Sequence, residues 1–119
     1  MDIVITIPKT IDWEDYEKEL QVVEDGKFAM YFKVPHLPKR TSVGDRCYIC
    51  YKDRIVGYML ITDLLHSNGF QCTTTRRFWD PGNYICRSGK FYSTITTINY
   101  KSFQGFRYAP DSWRHQEFK

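Results

Sequence analysis

The stretch VGDRCYICYKDRIVGYMLI, residues 43–61, decides how the rest of this chain is read. Gly44-Asp45 opens it with turn chemistry: glycine reaches backbone angles that other residues avoid, and Asp bonds its own backbone. Residues 46–51 then run Arg-Cys-Tyr-Ile-Cys-Tyr, a composition suited to a pleated, half-buried surface. Lys52-Asp53-Arg54 is short and charged, as a hairpin tip should be. Residues 55–62 return with Ile55, Val56, Met59, Leu60 and Ile61, interrupted by Gly57. A glycine inside a strand marks a bulge or a close backbone approach. The stretch predicts a β-hairpin.

Working outward, Ile3, Ile5 and Ile7 alternate, which predicts a first strand over 2–7 that Pro8 ends. Asp12 is placed to cap a helix over 13–24, with Glu14 and Asp15 in its positive first turn. Trp13, Tyr16, Leu20 and Val23 share one helical stripe, read as core-facing, and Gly26 closes the helix as a left-handed cap. Residues 28–34 read as a second strand, followed by an irregular loop held by Pro35 and Pro38. Beyond the hairpin, 64–69 read as a helical turn, 70–75 as a Thr-rich strand, and Pro81-Gly82 as a strong turn. Two more strands, 84–87 and 91–98, are joined by Ser88-Gly89-Lys90. The aromatic tail, 103–113, is expected to dock on the domain, because exposing so many rings is costly. The chain reads as a single domain over 1–119. It is mixed α+β and mainly β, a small open or closed β-barrel of about five to seven strands with one main N-terminal helix.

The hairpin also resembles a known pattern. GDR-CYICY-KDR-IVGYMLI is similar to the GD turn, hydrophobic strand, short turn and IVG strand of the PUA-like superfamily, particularly its ASCH and EVE branches. The resemblance covers residues 28–65. It implies a small mixed β-barrel associated with RNA or modified-base recognition. It also implies that the segment before the GD turn lines a ligand cleft, with Lys33, Lys39 and Arg40 as its basic residues. EVE-like domains form an aromatic pocket for a flipped or modified base, and Trp79, Tyr84 and Trp113 match such walls by residue type.

Bulk composition narrows the classes. Of 119 residues, 42% are hydrophobic and 26% charged, so the chain is globular rather than disordered. The aromatic share of 17% exceeds what a core alone requires and leaves rings for base stacking. A net charge of +3 permits nucleic-acid binding without demonstrating it. No run approaches the roughly 20 apolar residues of a membrane span. The N-terminus lacks a basic region and cleavage pattern, so no membrane partner and a cytoplasmic location are expected. Cys47 and Cys50 have CxxC spacing, but strand alternation sends them to opposite faces, and no second ligand pair accompanies them. They read as buried reduced thiols, and neither metal nor cofactor is expected.

Three constellations carry candidate chemistry. The first is Lys33, His36, Lys39, Arg40, Thr41 and Ser42, either a phosphate-contacting loop or an ordinary solvated one. Lys supplies a mobile point charge there and Arg a planar fork. The second is Arg76, Arg77, Trp79 and Tyr84, which either join phosphate attraction to stacking faces or, for Trp79, plug the end of the barrel. The third is Arg107 and Tyr108 beside Gly105, either presented to a ligand or serving as a strut. No nucleophile elbow, phosphate loop or HExxH helix occurs. Some ASCH-type proteins are hydrolases using Lys and Glu, and Lys33 or Lys39 would be the Lys. However, Asp63 and Asp80 are the only carboxylates over 63–80, so the enzyme question stays open and leans toward no catalysis. The expected partner is RNA or DNA, through a basic, aromatic-lined cleft. A nucleic-acid-directed hydrolase and a protein-interaction module are the alternatives.

Overall fold

The computed structural model describes residues 1–67, 70–71, 78–79 and 81–119, with 70–71 and 78–79 described by backbone alone. The hairpin forms from β3 (Arg46–Tyr51) and β4 (Arg54–Ser67), with β1 (Ile3–Thr6), α1 (Trp13–Val23) and β2 (Met30–Val34) before it. Lys52 and Asp53 both take left-handed angles, φ 51° and 60°. A two-residue turn of that hand matches the twist of the strands it joins. The register runs from Arg46↔Leu60 to Ile49↔Gly57, then slips so that Cys50 faces Ile55. Val56 is therefore the bulged residue, next to the glycine whose position suggested a bulge.

Strand alternation sorts β3 between two cores. Cys47, Ile49 and Tyr51 join the cluster beneath α1, whereas Tyr48 and Cys50 join the cluster on the opposite face. The two CxxC thiols thus point apart, as the period of two requires. Burial pushes the Cys47 thiol up to about 11 and the Cys86 thiol to about 12, so both stay protonated at neutral pH. Cys72 lies outside the described residues.

The long β4 organises the sheet. Its first half takes β8 (Tyr92–Asn99) on the edge away from β3, and its second half takes β7 (Gly82–Arg87). β7 pairs in turn with β2, while β1 joins β3 in parallel and β9 (Phe106–Tyr108) antiparallel. Six strands follow the order β2-β7-β4-β3-β1-β9, with β8 on β4 off this path. Two further short strands, β5 (Phe70–Gln71) and β6 (Phe78–Trp79), pair with each other.

The two faces are covered differently. Asp12 caps α1 by accepting the Glu14 N–H at 2.8 Å. Tyr16, Leu20 and Val23 are buried on the sheet, and the chain leaves the helix through Gly26 at φ 81°. The Arg87 guanidinium reaches from β7 to the Tyr16 hydroxyl at 3.1 Å, inside this core. On the other face the tail docks, as its rings require: Trp113, on the 3₁₀ turn Asp111–His115, meets Tyr48 and Tyr100 edge-on at 5.2 Å each. Arg114 clasps the buried Asp2 with two bonds of 2.6 and 2.7 Å. No described helix is long and apolar enough to cross a membrane.

Of the open and closed barrels expected, the sheet is the open one, a curled half-barrel, because its edge strands β2 and β9 do not pair. Two expectations are corrected. Residues 64–67 are not helical but continue β4, since β7 offers them a ladder from Leu64↔Ile85 to Ser67↔Gly82. The second strand begins at Met30 rather than residue 28. Of the strand expected over 70–75, residues 70–71 are extended and the remainder lies outside the described residues.

Candidate nucleic-acid interface at the open seam

The seam of the half-barrel runs between β2 and β9. Pro35 follows β2 directly and Pro38 comes three residues later. Neither supplies an N–H, so the ladder cannot continue from β2. Residues 35–41 cross the gap through side-chain contacts instead. The Arg40 N–H donates to the Tyr108 hydroxyl at 3.1 Å, and the His36 ring meets Phe106 edge-on at 5.4 Å. The loop backbone is thereby pinned, while Lys39 and Arg40 remain exposed.

Beside the seam, Asn83 links three elements. Its amide donates to the Pro35 carbonyl at 3.2 Å, and its oxygen lies 2.9 Å from His66 Nδ1. Because that oxygen can only accept, Nδ1 carries the proton, leaving Nε2 as an acceptor in the neutral ring. Lys33 is exposed on β2 and its stem lies over Gly82, where a Cβ would sit 2.8 Å from Lys33 Cε. At the other end of the loop, Asp45 accepts from the Met1 ammonium and from the Ser42 N–H, each at 2.9 Å. These two bonds, the ammonium's first, hold the Asp45 carboxyl below its usual range. That carboxylate is already engaged rather than turned toward Lys39 and Arg40.

The remaining candidates divide. Tyr108 belongs to the seam, but Arg107 faces the other side of β9, its guanidinium 4.6 Å from the Phe103 ring centre. Tyr84 is wholly buried beside Lys33 in the register, and Trp113 is 8% exposed within the tail's aromatic cluster. Both therefore have packing roles, and neither presents a ring face at the seam. Arg76 and Arg77 lie outside the described residues, as does Asp80. Trp79 pairs with Phe70 through its backbone, and its side chain is not described. Nothing local in the sequence singles out His66 and Asn83, because their partners lie 17 and 48 positions away.

Among the described residues, no three His, Cys, Asp or Glu side chains gather as a metal site. A groove of about 990 Å³ lies elsewhere, between α1 and β8, and none of the sequence-derived site residues lines it. No family model, curated protein or solved structure matches this chain.

Proposed function

We propose that the chain is a noncatalytic, PUA-like module that binds RNA or DNA at the open seam of its half-barrel. The observation that carries this reading is the loop over 35–41. Its backbone is fixed to Tyr108 while Lys39 and Arg40 project to solvent, with Lys33 exposed on the adjoining strand. Cations carried on a pinned backbone lose less freedom on meeting phosphate than cations on a mobile loop. Phosphate contacts supply affinity, and stacking on an unstacked base supplies selectivity, the role that its residue type makes Trp79 a candidate for.

The test is titration against single-stranded and duplex RNA and DNA, with and without modified bases, at several salt concentrations. Lys39→Ala and Arg40→Ala should each weaken binding and flatten the salt dependence by about one unit. Trp79→Ala should cost roughly 1–3 kcal/mol of binding with little salt dependence. Binding no stronger than that of an unrelated basic protein defeats the reading and redirects attention to a protein partner. Turnover of the nucleic acid that vanishes in Lys33→Ala replaces it with a hydrolase.

A further inference from the structure

The groove between α1 and β8 shares no residue with the seam, and its chemistry changes along its length. At one end Lys9, Lys52 and Arg54 line it. The Tyr51 hydroxyl bonds the Ile11 carbonyl at 2.7 Å, tying the β3–β4 tip that bears Lys52 and Arg54 to the segment just before α1 that bears Lys9. Among the described residues, the ion pairs within 4 Å involve none of the three. Asp12 lines the same end, its carboxylate accepting the Glu14 N–H, and Asp53 at the hairpin tip accepts the Ser102 N–H, each at 2.8 Å, so the three cations outnumber the carboxylates around them.

Beyond the cations the floor is apolar. Trp13 and Phe91 line it, partly buried against the core. Trp13 is held between Tyr16 and Tyr51, at 5.4 and 5.3 Å, so the edge of a fixed ring faces the groove. Farther along α1 the wall turns acidic, with Glu17 and Glu24 flanking Gln21. Glu17 stands about 6 Å along the helix axis from Trp13, and Gln21 about 12 Å. The facing wall is the stretch of β8 where pairing with β4 stops at Ser93 and resumes at Ile98, which opens the groove.

We infer that this groove binds a nucleoside monophosphate. The phosphate sits among Lys9, Lys52 and Arg54, and the base lies along Trp13 and Phe91. The volume is of the size of small-molecule sites. An excess of cations at one end, followed by Glu17 and Glu24, accommodates one phosphate and repels the next, which disfavours a continuous strand backbone. Carboxylates accept hydrogen bonds and do not donate, so Glu17 selects a base bearing an exocyclic amine. The shared chemistry is a terminal phosphate on a nucleoside, presented either by a free nucleotide or by the phosphorylated end of a strand.

The test is an NMR titration of the full chain with AMP, UMP, adenosine and inorganic phosphate. AMP should shift the Trp13 indole and Phe91 resonances and bind about tenfold or more tightly than adenosine or phosphate. Lys52→Asn with Arg54→Gln should weaken AMP about tenfold at unchanged melting temperature, since both side chains are exposed. Glu17→Gln should narrow the preference for AMP over UMP. Equal affinity for AMP and phosphate, unchanged affinity in the double variant, or no shift at millimolar AMP overturns the inference. A 5′-phosphorylated oligonucleotide separates the sources. If its advantage over the 5′-hydroxyl form survives Lys39→Ala/Arg40→Ala but not Arg54→Gln, the natural ligand is a strand end. If no such advantage exists while AMP binds, it is a free nucleotide. Because the seam variants leave the groove intact, failure at one site is distinguishable from failure at the other.

Discussion

At Gly57 there is no space for a side chain. A Cβ there would lie 2.4 Å from both Phe91 Cζ and the Tyr92 carbonyl oxygen. The ring could swing aside, but the carbonyl belongs to the β4–β8 pairing and cannot. Gly57→Ala should therefore destabilise the protein by about 1–3 kcal/mol in urea unfolding. Gly82→Ala makes the useful contrast, because the obstacle there is the flexible end of Lys33. It should leave stability nearly unchanged while displacing that ammonium and weakening nucleic-acid binding. Asp53 sets a pH dependence at the same scale. The Ser102 N–H bonds its carboxylate and, as the leading cause, holds its folded pKa below the ordinary 3.8. The unfolded chain thus takes up the proton first. This contact contributes stability above the ordinary value and loses it as pH falls through the lower folded value. The Ser102 amide resonance, followed by NMR, should titrate below pH 3.8; a midpoint at or above that value would show the bond is absent in solution.

The elements formed where local chemistry and period agreed. α1 carries its own start signal in Asp12 and its own stop in Gly26, so its limits were legible within a residue. Asp12→Ala should cost about 1 kcal/mol, measured by thermal unfolding, with the strands intact. The β3–β4 hairpin was equally legible, since the strand composition of 46–51 and the charged tip lie within one short window, although Arg54, read as part of the tip, opens β4. The stretch over 64–67 was not. Leu64-Leu65 read as a helical turn because a short apolar run fits either state. The outcome was settled by β7, whose free edge accepts the backbone of β4 across a separation that no local pattern records.

Over the whole molecule, the two ends of the chain are drawn together. β9 extends the sheet beyond β1, and Arg114 closes on Asp2, which lies 112 positions earlier. Trp113 fills the cluster that this docking creates. Trp113→Ala should therefore lower global stability by about 3–5 kcal/mol and not merely free the tail. A calorimetric transition unchanged in midpoint, alongside increased mobility of residues 110–119, would contradict that coupling. The open seam belongs to this scale as well. It exists because a proline-bearing loop, not a hydrogen-bonded strand, spans the distance from β2 to β9.

Composition, period and turn chemistry were enough for a mainly β chain with one amphipathic helix, a hairpin over 45–62, a docked aromatic tail and thiols that point apart. Each follows from forces acting within a few residues or from the simple cost of exposing rings. The basic loop over 33–42 was likewise visible as a candidate. Which candidates could act together was not visible, because residue type says nothing about which face of a sheet is covered. Tertiary packing buried Tyr84 and Trp113, turned Arg107 away from Tyr108, and joined His66 to Asn83. It also left the barrel open: whether two edge strands meet depends on the summed twist and register of the strands between them, a property no single segment carries.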